Sequence, residues 1–104
     1  MNTTASAVPQ DLAACIGHML AQRGLGWVRL HTLFVVRATG SMYAAAKALG
    51  LSGVSNVRRR LLTLEQSLGV TLVVSEKGGS RLSALAEELA KSLGPHFEPP
   101  VRKG

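Results

Sequence analysis

Residues 49–72 read LGLSGVSNVRRRLLTLEQSLGVTL and contain the clearest structural signal in the chain. At about 100° per residue, Arg59 points away from a narrow apolar arc, and Arg58 and Arg60 flank it. The pattern predicts an amphipathic helix from about Val54 to Leu68 after a Gly/Ser turn. An ordinary solvated basic helix would carry the same three arginines, so the surrounding elements must decide between the two interpretations. The apolar arc consists of Val57, Leu61, Leu64 and Leu68.

Two further helices are predicted on the N-terminal side of this segment. The first extends from about Asp11 to Arg23 and the second from about Trp27 to Ala38, because apolar residues recur at helical spacing in both. Gly24 and Gly26 predict the break between them. Trp27 and Phe34 are expected to lie in the core.

A short helix, MYAAAKAL, is predicted between the second helix and the arginine-bearing helix. Ser41 can cap its first turn, and Gly50 is expected to end it. Either Ser52 or Ser55 can accept the free amide hydrogens at the start of the next helix. A short helix, a Gly/Ser turn and an amphipathic basic helix together predict a helix-turn-helix.

The stretch VTLVVSEKGGSRL, residues 70–82, has β-branched residues before a Lys-Gly-Gly-Ser centre. It predicts a short two-stranded hairpin, or wing, with Lys77 near the tip and Arg81 on the return strand. Ser83 then starts a last helix, to about Leu93. The expected fold is mainly α, a winged helix-turn-helix with a short β-hairpin wing and additional N- and C-terminal helices.

The predicted organisation has five parts, all within one domain-sized chain. They are a flexible N-terminus at 1–10, an accessory N-terminal helix and linker at 11–26, the winged helix-turn-helix at 27–82, a C-terminal linker or dimerisation helix at 83–94 and a flexible tail at 95–104.

The charge balance favours a polyanionic partner. Twelve Lys and Arg residues stand against six Asp and Glu residues, and the pI is about 10.5. Between residues 41 and 82, six basic residues face two acidic ones, a local net charge of +4. Nucleic acid is favoured over an anionic membrane. Because the chain has only four aromatic residues, stacking on single strands is disfavoured and double-stranded DNA is the expected partner.

Other classes of function have little support in the sequence. The single Cys15 excludes an intramolecular disulfide and fits a reducing compartment. Three widely separated histidines do not form a metal-binding pattern, and no cofactor motif or catalytic constellation is present, so an enzyme is not expected. The N-terminal segment has neither the charge nor the apolar run of a signal peptide or membrane span.

With these elements in place, the chain resembles the DNA-binding domain of LysR-type transcriptional regulators over roughly Leu30 to Leu93. The order and spacing of two small motifs make the resemblance fairly specific. The first motif is Gly40, Ser41, Met42, Ala45, Ala46 and Leu49, and the second is Leu64, Glu65, Leu68, Gly69 and Leu72.

Three departures from the family pattern matter for function. The segment between Leu49 and Glu65 is one residue longer than usual, which shifts the reading positions by up to one residue. Residues 73–75, Val-Val-Ser, replace a common Phe-variable-Arg and remove an expected basic contact near the wing. Full family members continue into a ligand-binding domain, whereas this chain stops after the linker helix, so a stand-alone domain without an inducer site is expected.

The resemblance and the helix geometry together assign roles in DNA binding. Arg59 is expected closest to base edges, with Ser55 and Asn56 as short polar contacts beside it. Arg58 and Arg60 would contact phosphates, together with the backbone amide of Ser41 at a helix N-terminus. Further contacts to phosphate or the minor groove are expected from Ser52, Lys77 and Arg81. Glu65 is expected to complete a contact that stabilises the fold.

The terminal helices are expected to form a homodimer, since each carries an apolar stripe that can pack in the same subunit or against a partner. The two stripes are Leu12, Ile16 and Leu20, and Leu85, Leu89 and Leu93.

The predicted function is a sequence-specific repressor or cofactor in the bacterial cytoplasm and nucleoid. The alternative is a degenerate winged helix that sequesters another transcription regulator; the missing wing arginine and an outward-pointing Leu62 favour it, and the intact arginine run opposes it.

Overall fold

The computed structural model describes residues 10–77 and 79–97, which form six helices and one antiparallel pair of strands. This order confirms the predicted mainly α winged helix-turn-helix. The elements are α1 (Gln10–Gln22), α2 (Leu25–Thr39), α3 (Met42–Leu49), α4 (Val54–Leu68), β1 (Val73–Glu76), β2 (Gly79–Leu82), α5 (Ala84–Ser92) and α6 (Gly94–Phe97).

The core lies where α2, α3 and α4 meet, and the strands and α5 close it from the other side. Ala45 of α3 is fully buried, and its small side chain lets the neighbouring helices approach closely. Burial of each leucine in this core stabilises the fold by about 1.5–3 kcal/mol before losses of conformational entropy. The fully buried apolar residues that these elements contribute are Leu30, Leu33, Ala45, Val57, Leu61, Leu64, Ala86 and Leu89, and Leu72 joins them from the segment before β1.

The helix-turn-helix is formed by α3, a four-residue turn and α4. The Oγ atom of Ser41 accepts a hydrogen bond from the Ala44 amide at 3.0 Å, which confirms the predicted cap. Gly50 ends α3 with φ of +72°, a conformation that disfavours residues with a Cβ. Gly53 precedes α4 and provides no side-chain cap, so the cap expected from Ser52 or Ser55 is not formed.

The wing follows α4 after a short connecting segment, and the side chain of Glu65 links the two elements. Its Oε2 atom accepts hydrogen bonds from the backbone amides of Leu72 at 2.7 Å and Val73 at 2.8 Å. The carboxylate therefore satisfies two amides where the chain enters β1, and the structural role predicted for Glu65 is confirmed. In the hairpin, Val73 lies opposite Leu82.

The junction between α1 and α2 differs from the sequence-based prediction. The chain turns at Arg23, whose φ is +57°, and α2 already begins at Leu25. Gly26 therefore lies inside the first turn of α2 and not in the break. A Cβ at this position would lie 2.8 Å from Cγ of Met19, so the glycine allows α1 to pack closely against α2.

The end of the described chain also differs from the prediction of a flexible tail from residue 95. Residues 95–97 belong to α6, and the Phe97 ring lies 5.2 Å from Trp27, 5.0 Å from His31 and 5.6 Å from Phe34 between ring centroids. Trp27 and Phe34 are half-buried in this cluster: Phe34 packs against the core, whereas the prediction that Trp27 lies in the core was wrong. The predictions for residues 1–9 and 98–104 lie outside the described residues.

Candidate nucleic-acid interface

One side of α4 is turned to solvent along its whole length. Ser55, Arg59, Leu62 and Gln66 are exposed, whereas Val57, Leu61 and Leu64 on the opposite side are buried. The four exposed residues follow the spacing i, i+4, i+7 and i+11, which places them on one stripe of a helix. We call these four residues the outward face of α4. A continuous exposed stripe on the second helix of a helix-turn-helix is the geometry that enters a major groove.

Arg59 lies in the middle of the outward face. Among residues 10–77 and 79–97, its guanidinium makes no hydrogen bond or ion pair. In the described part of the chain, all five N–H donors of Arg59 are therefore without an acceptor and can bind a ligand.

Arg58 lies beside the outward face and is directed towards the wing. Its Nη1 atom donates a hydrogen bond to Oγ of Ser80 in β2 at 2.8 Å, and the side chain is half-buried. This contact uses one donor and holds the guanidinium between α4 and the hairpin.

Arg60 lies on the other flank and is directed towards α2. Its Nη1 atom donates to Oγ1 of Thr32 at 3.0 Å, and the same Thr32 hydroxyl donates to the carbonyl of Val28 at 2.9 Å. Burial lowers the pKa of the neighbouring His31 below its ordinary value of 6.5, and the positive charge of Arg60 lowers it further. The three consecutive arginines thus point in three directions, and two of them brace α4 against other elements.

The polar residues around the turn form a second group near the start of α4. The side-chain amide of Asn56 donates to Oγ of Ser52 at 2.8 Å, and Ser52 and Ser55 are both exposed. Ser52, Ser55 and Asn56, all predicted contact residues, therefore lie within one helical turn of the N-terminus of α4. Ser41, also exposed, is at the N-terminus of α3.

The wing carries less available positive charge than the sequence suggests. Arg81 forms an ion pair with Glu76 on the opposite strand and also donates to the carbonyl of Leu82. Lys77 is exposed. The hairpin therefore presents one exposed lysine and one arginine that is paired with a carboxylate of the neighbouring strand.

Sequence reasoning missed the partners that hold the arginines, Ser80 and Thr32. They are separated from Arg58 and Arg60 by 22 and 28 residues, so no local pattern reveals the pairing. It also missed the exposed pair on α3, in which Nζ of Lys47 lies 5.4 Å from the ring centroid of Tyr43. An i, i+4 spacing of an aromatic and a cation is the signal that predicts such a pair.

The residues predicted to form a dimer have two different environments. Leu12, Ile16, Leu89 and Leu93 are buried within the single chain, whereas Leu20 and Leu85 are half-buried. Between α1 and the end of α5 lies an open apolar groove of about 570 Å³. It is lined by Ala13, Ile16, Gly17, Leu20, Ala21, Ser92, Leu93 and His96.

The geometry so far is that of a winged helix-turn-helix with a basic outward face. Residues 27–87, more than half of the chain, match the family described as bacterial regulatory helix-turn-helix proteins, lysR family. The chain belongs to the LysR family. Membership makes it a DNA-binding transcription regulator of the helix-turn-helix type, and confirms the family predicted from the two motifs. No curated protein and no solved structure matches the chain.

The side chains and helices of the described part of this LysR-family chain bear on two other types of site, a metal site and a membrane span. His, Cys, Asp and Glu side chains in that part of the chain form no group of three or more that could hold a metal ion. None of the helices described is both long and apolar enough to span a bilayer.

Proposed function

We propose that this LysR-family chain binds a specific double-stranded DNA sequence as a homodimer in the bacterial cytoplasm and nucleoid, and acts there as a repressor or cofactor of transcription. The observation that carries the proposal is the position of Arg59, exposed in the middle of the outward face between two arginines that are held by hydrogen bonds. A rigid helix with one unengaged arginine at its centre suits bidentate contact with a guanine.

The other residues divide into base and phosphate contacts in this proposal. Ser55 and Asn56, near the N-terminus of α4, contact bases beside the one that Arg59 contacts. The remaining donors of Arg58 and Arg60 contact phosphates on either side of the groove. Further phosphate or minor-groove contacts come from the Ser41 amide, Ser52, Lys77 and Arg81.

The test is a fluorescence-anisotropy titration of the full chain with duplexes selected from a random pool, at about 50 and 200 mM salt. Two substitutions separate charge from geometry. Arg59→Lys keeps the positive charge but loses the planar fork, so it should lose preference between bases and keep the salt dependence. Arg59→Ala should also lose the base preference, with about 1–3 kcal/mol less discrimination against the wrong base, and its salt dependence should be reduced but not lost because the phosphate contacts remain.

The matched control is Lys91→Ala, which removes one exposed positive charge from α5, away from α4. It should leave base preference unchanged. If folded wild-type protein binds no duplex at the lower salt, sequence-specific DNA binding is not its function. If Arg59→Lys selects the same sequence as the wild type with equal preference, another residue reads the DNA.

The homodimer part of the proposal is supported by the open groove between α1 and α5, whose exposed lining includes the small residues Ala13, Gly17 and Ala21. Substituting buried leucines would test folding, so the better probe is Ala21→Glu, which places a charge in the groove from an exposed position. Sedimentation should show a dimer for the wild type and a monomer for Ala21→Glu, while Ala48→Glu on the exposed side of α3 should stay dimeric. A monomeric wild type at micromolar concentration would contradict this part alone.

A second candidate function is a module that binds and sequesters another transcription regulator. Two observations favour this second function. Leu62 is 39% exposed on the outward face, and Arg81 forms an ion pair with Glu76. The same titration separates the two functions, since a sequestering module needs no preference among duplexes.

A further inference from the structure

The outward face of α4 is polar except at one position. Leu62 lies three residues after Arg59, with Ser55 and Gln66 exposed on the same stripe. The three buried apolar residues of α4 point away from the outward face, and Leu62, which is 39% exposed, is not one of them. The exposed part of this leucine can pack against an apolar group of a bound partner.

Base edges in the major groove offer one such group. Guanine, cytosine and adenine present hydrogen-bond donors and acceptors there, whereas thymine adds a C5-methyl group. We propose that Leu62 packs against the methyl group of a thymine next to the guanine that Arg59 contacts. This inference rests on the proposed DNA-binding function and adds a second specificity-determining residue to it.

The spacing of the two residues fits neighbouring base pairs. Three residues along a helix correspond to a rise of about 4.5 Å and to directions about 60° apart. Successive base pairs are about 3.4 Å apart. Arg59 and Leu62 can therefore face adjacent steps of the same groove while α4 stays in one orientation.

The inference predicts a defined base preference. Duplexes selected by the wild type should contain a guanine with a neighbouring thymine. Leu62→Ala should keep the guanine and lose the thymine, whereas Arg59→Ala should lose the guanine. The matched control is Leu25→Ala, because Leu25 is a leucine 68% exposed at the start of α2; this variant should select the wild-type sequence.

Replacing that thymine by uracil removes only the methyl group and tests the contact itself. Wild-type affinity should fall about fourfold, the value of one buried methyl group, and Leu25→Ala should show the same fall. Leu62→Ala should bind the thymine and uracil duplexes equally. Circular dichroism of each variant checks that the fold is retained.

Two results would overturn the inference. One is a wild-type protein that is insensitive to uracil at every thymine of its selected site. The other is Leu62→Ala with the full wild-type uracil penalty, which would place the methyl contact elsewhere; if this variant also binds both duplexes more weakly by the same factor, Leu62 contacts the sugar instead. After either result, selection of guanine that depends on Arg59 would still support the proposed function. If the protein binds no duplex at all, both the proposed function and this inference fail.

Discussion

Nη1 of Arg58 lies 2.8 Å from Oγ of Ser80, and this hydrogen bond joins the middle of α4 to the return strand of the wing. The guanidinium stands beside the outward face, so the same contact sets the direction of the arginine and the position of the hairpin. Arg58 therefore helps to hold α4 and the wing together, in addition to carrying one of the three positive charges of the arginine run.

The Arg58–Ser80 contact should be measurable as an energetic coupling. In a double-mutant cycle with Arg58→Ala and Ser80→Ala, urea unfolding should give a coupling free energy of about 1 kcal/mol, the usual value for a hydrogen bond of this exposure. Arg59→Ala, without a partner in the described chain, should change the free energy of unfolding by less than about 0.5 kcal/mol. Additive effects of the two substitutions would show that the hydrogen bond does not persist in solution.

Removal of the Glu65 carboxylate should destabilise the junction between α4 and the wing. Glu65→Ala leaves the amides of Leu72 and Val73 without their acceptor, at a cost of about 1–3 kcal/mol in the free energy of unfolding. Glu65→Gln keeps an acceptor oxygen and should cost less. Glu88→Ala removes an exposed carboxylate of α5 and serves as the control. Equal stability of the Glu65→Ala and Glu88→Ala variants in urea would contradict the assigned role.

His31 should make stability depend on pH. Because its pKa is lower in the folded chain than its ordinary value of 6.5, the unfolded chain binds the proton more tightly. The free energy of unfolding should therefore fall as the pH is lowered from above 6.5 towards the folded-state pKa, and the full penalty is present below that value. His31→Phe keeps an aromatic ring beside Phe97 and should flatten this dependence. An unchanged pH profile of Tm in that variant would assign the effect to other groups.

Two glycines in neighbouring helices should respond in opposite ways to alanine. Gly17 lies in the interior of α1 with open space where a Cβ would be, so Gly17→Ala should stabilise the fold by about 0.4–1 kcal/mol. At Gly26 the new Cβ would meet Met19 at 2.8 Å, so Gly26→Ala should be less stable than the wild type or force α1 to shift. Tm values of the two variants check this, and stabilisation by both would show that α1 does not pack tightly on α2.

Local patterns predicted much of the fold. The period of apolar residues defined α4 from Val54 to Leu68, Ser41 identified the start of α3, and Glu65 was assigned a structural contact. Each of these depends on residues close in sequence, where helix geometry fixes which side chains share a face. The functions of the individual DNA-contact residues remain predictions.

Packing between different elements was not predictable in the same way. Gly26 was interpreted as a break because its local pattern does not show that Met19 of the preceding helix occupies the space beside it. Trp27 was assigned to the core, but together with Phe34 it forms a half-buried cluster with Phe97, which lies more than 60 residues further along the chain.

By itself, the sequence determined the winged helix-turn-helix and the family, because periodicity, caps and motif order are local properties of the chain. Helix geometry already set Arg59 apart as the outward arginine, and only the tertiary structure decided what holds Arg58 and Arg60. Arg58, Arg59 and Arg60 are chemically identical, and their directions differ by about 100° per residue. Which of those directions meets Ser80, Thr32 or solvent depends on how the wing and α2 pack around α4.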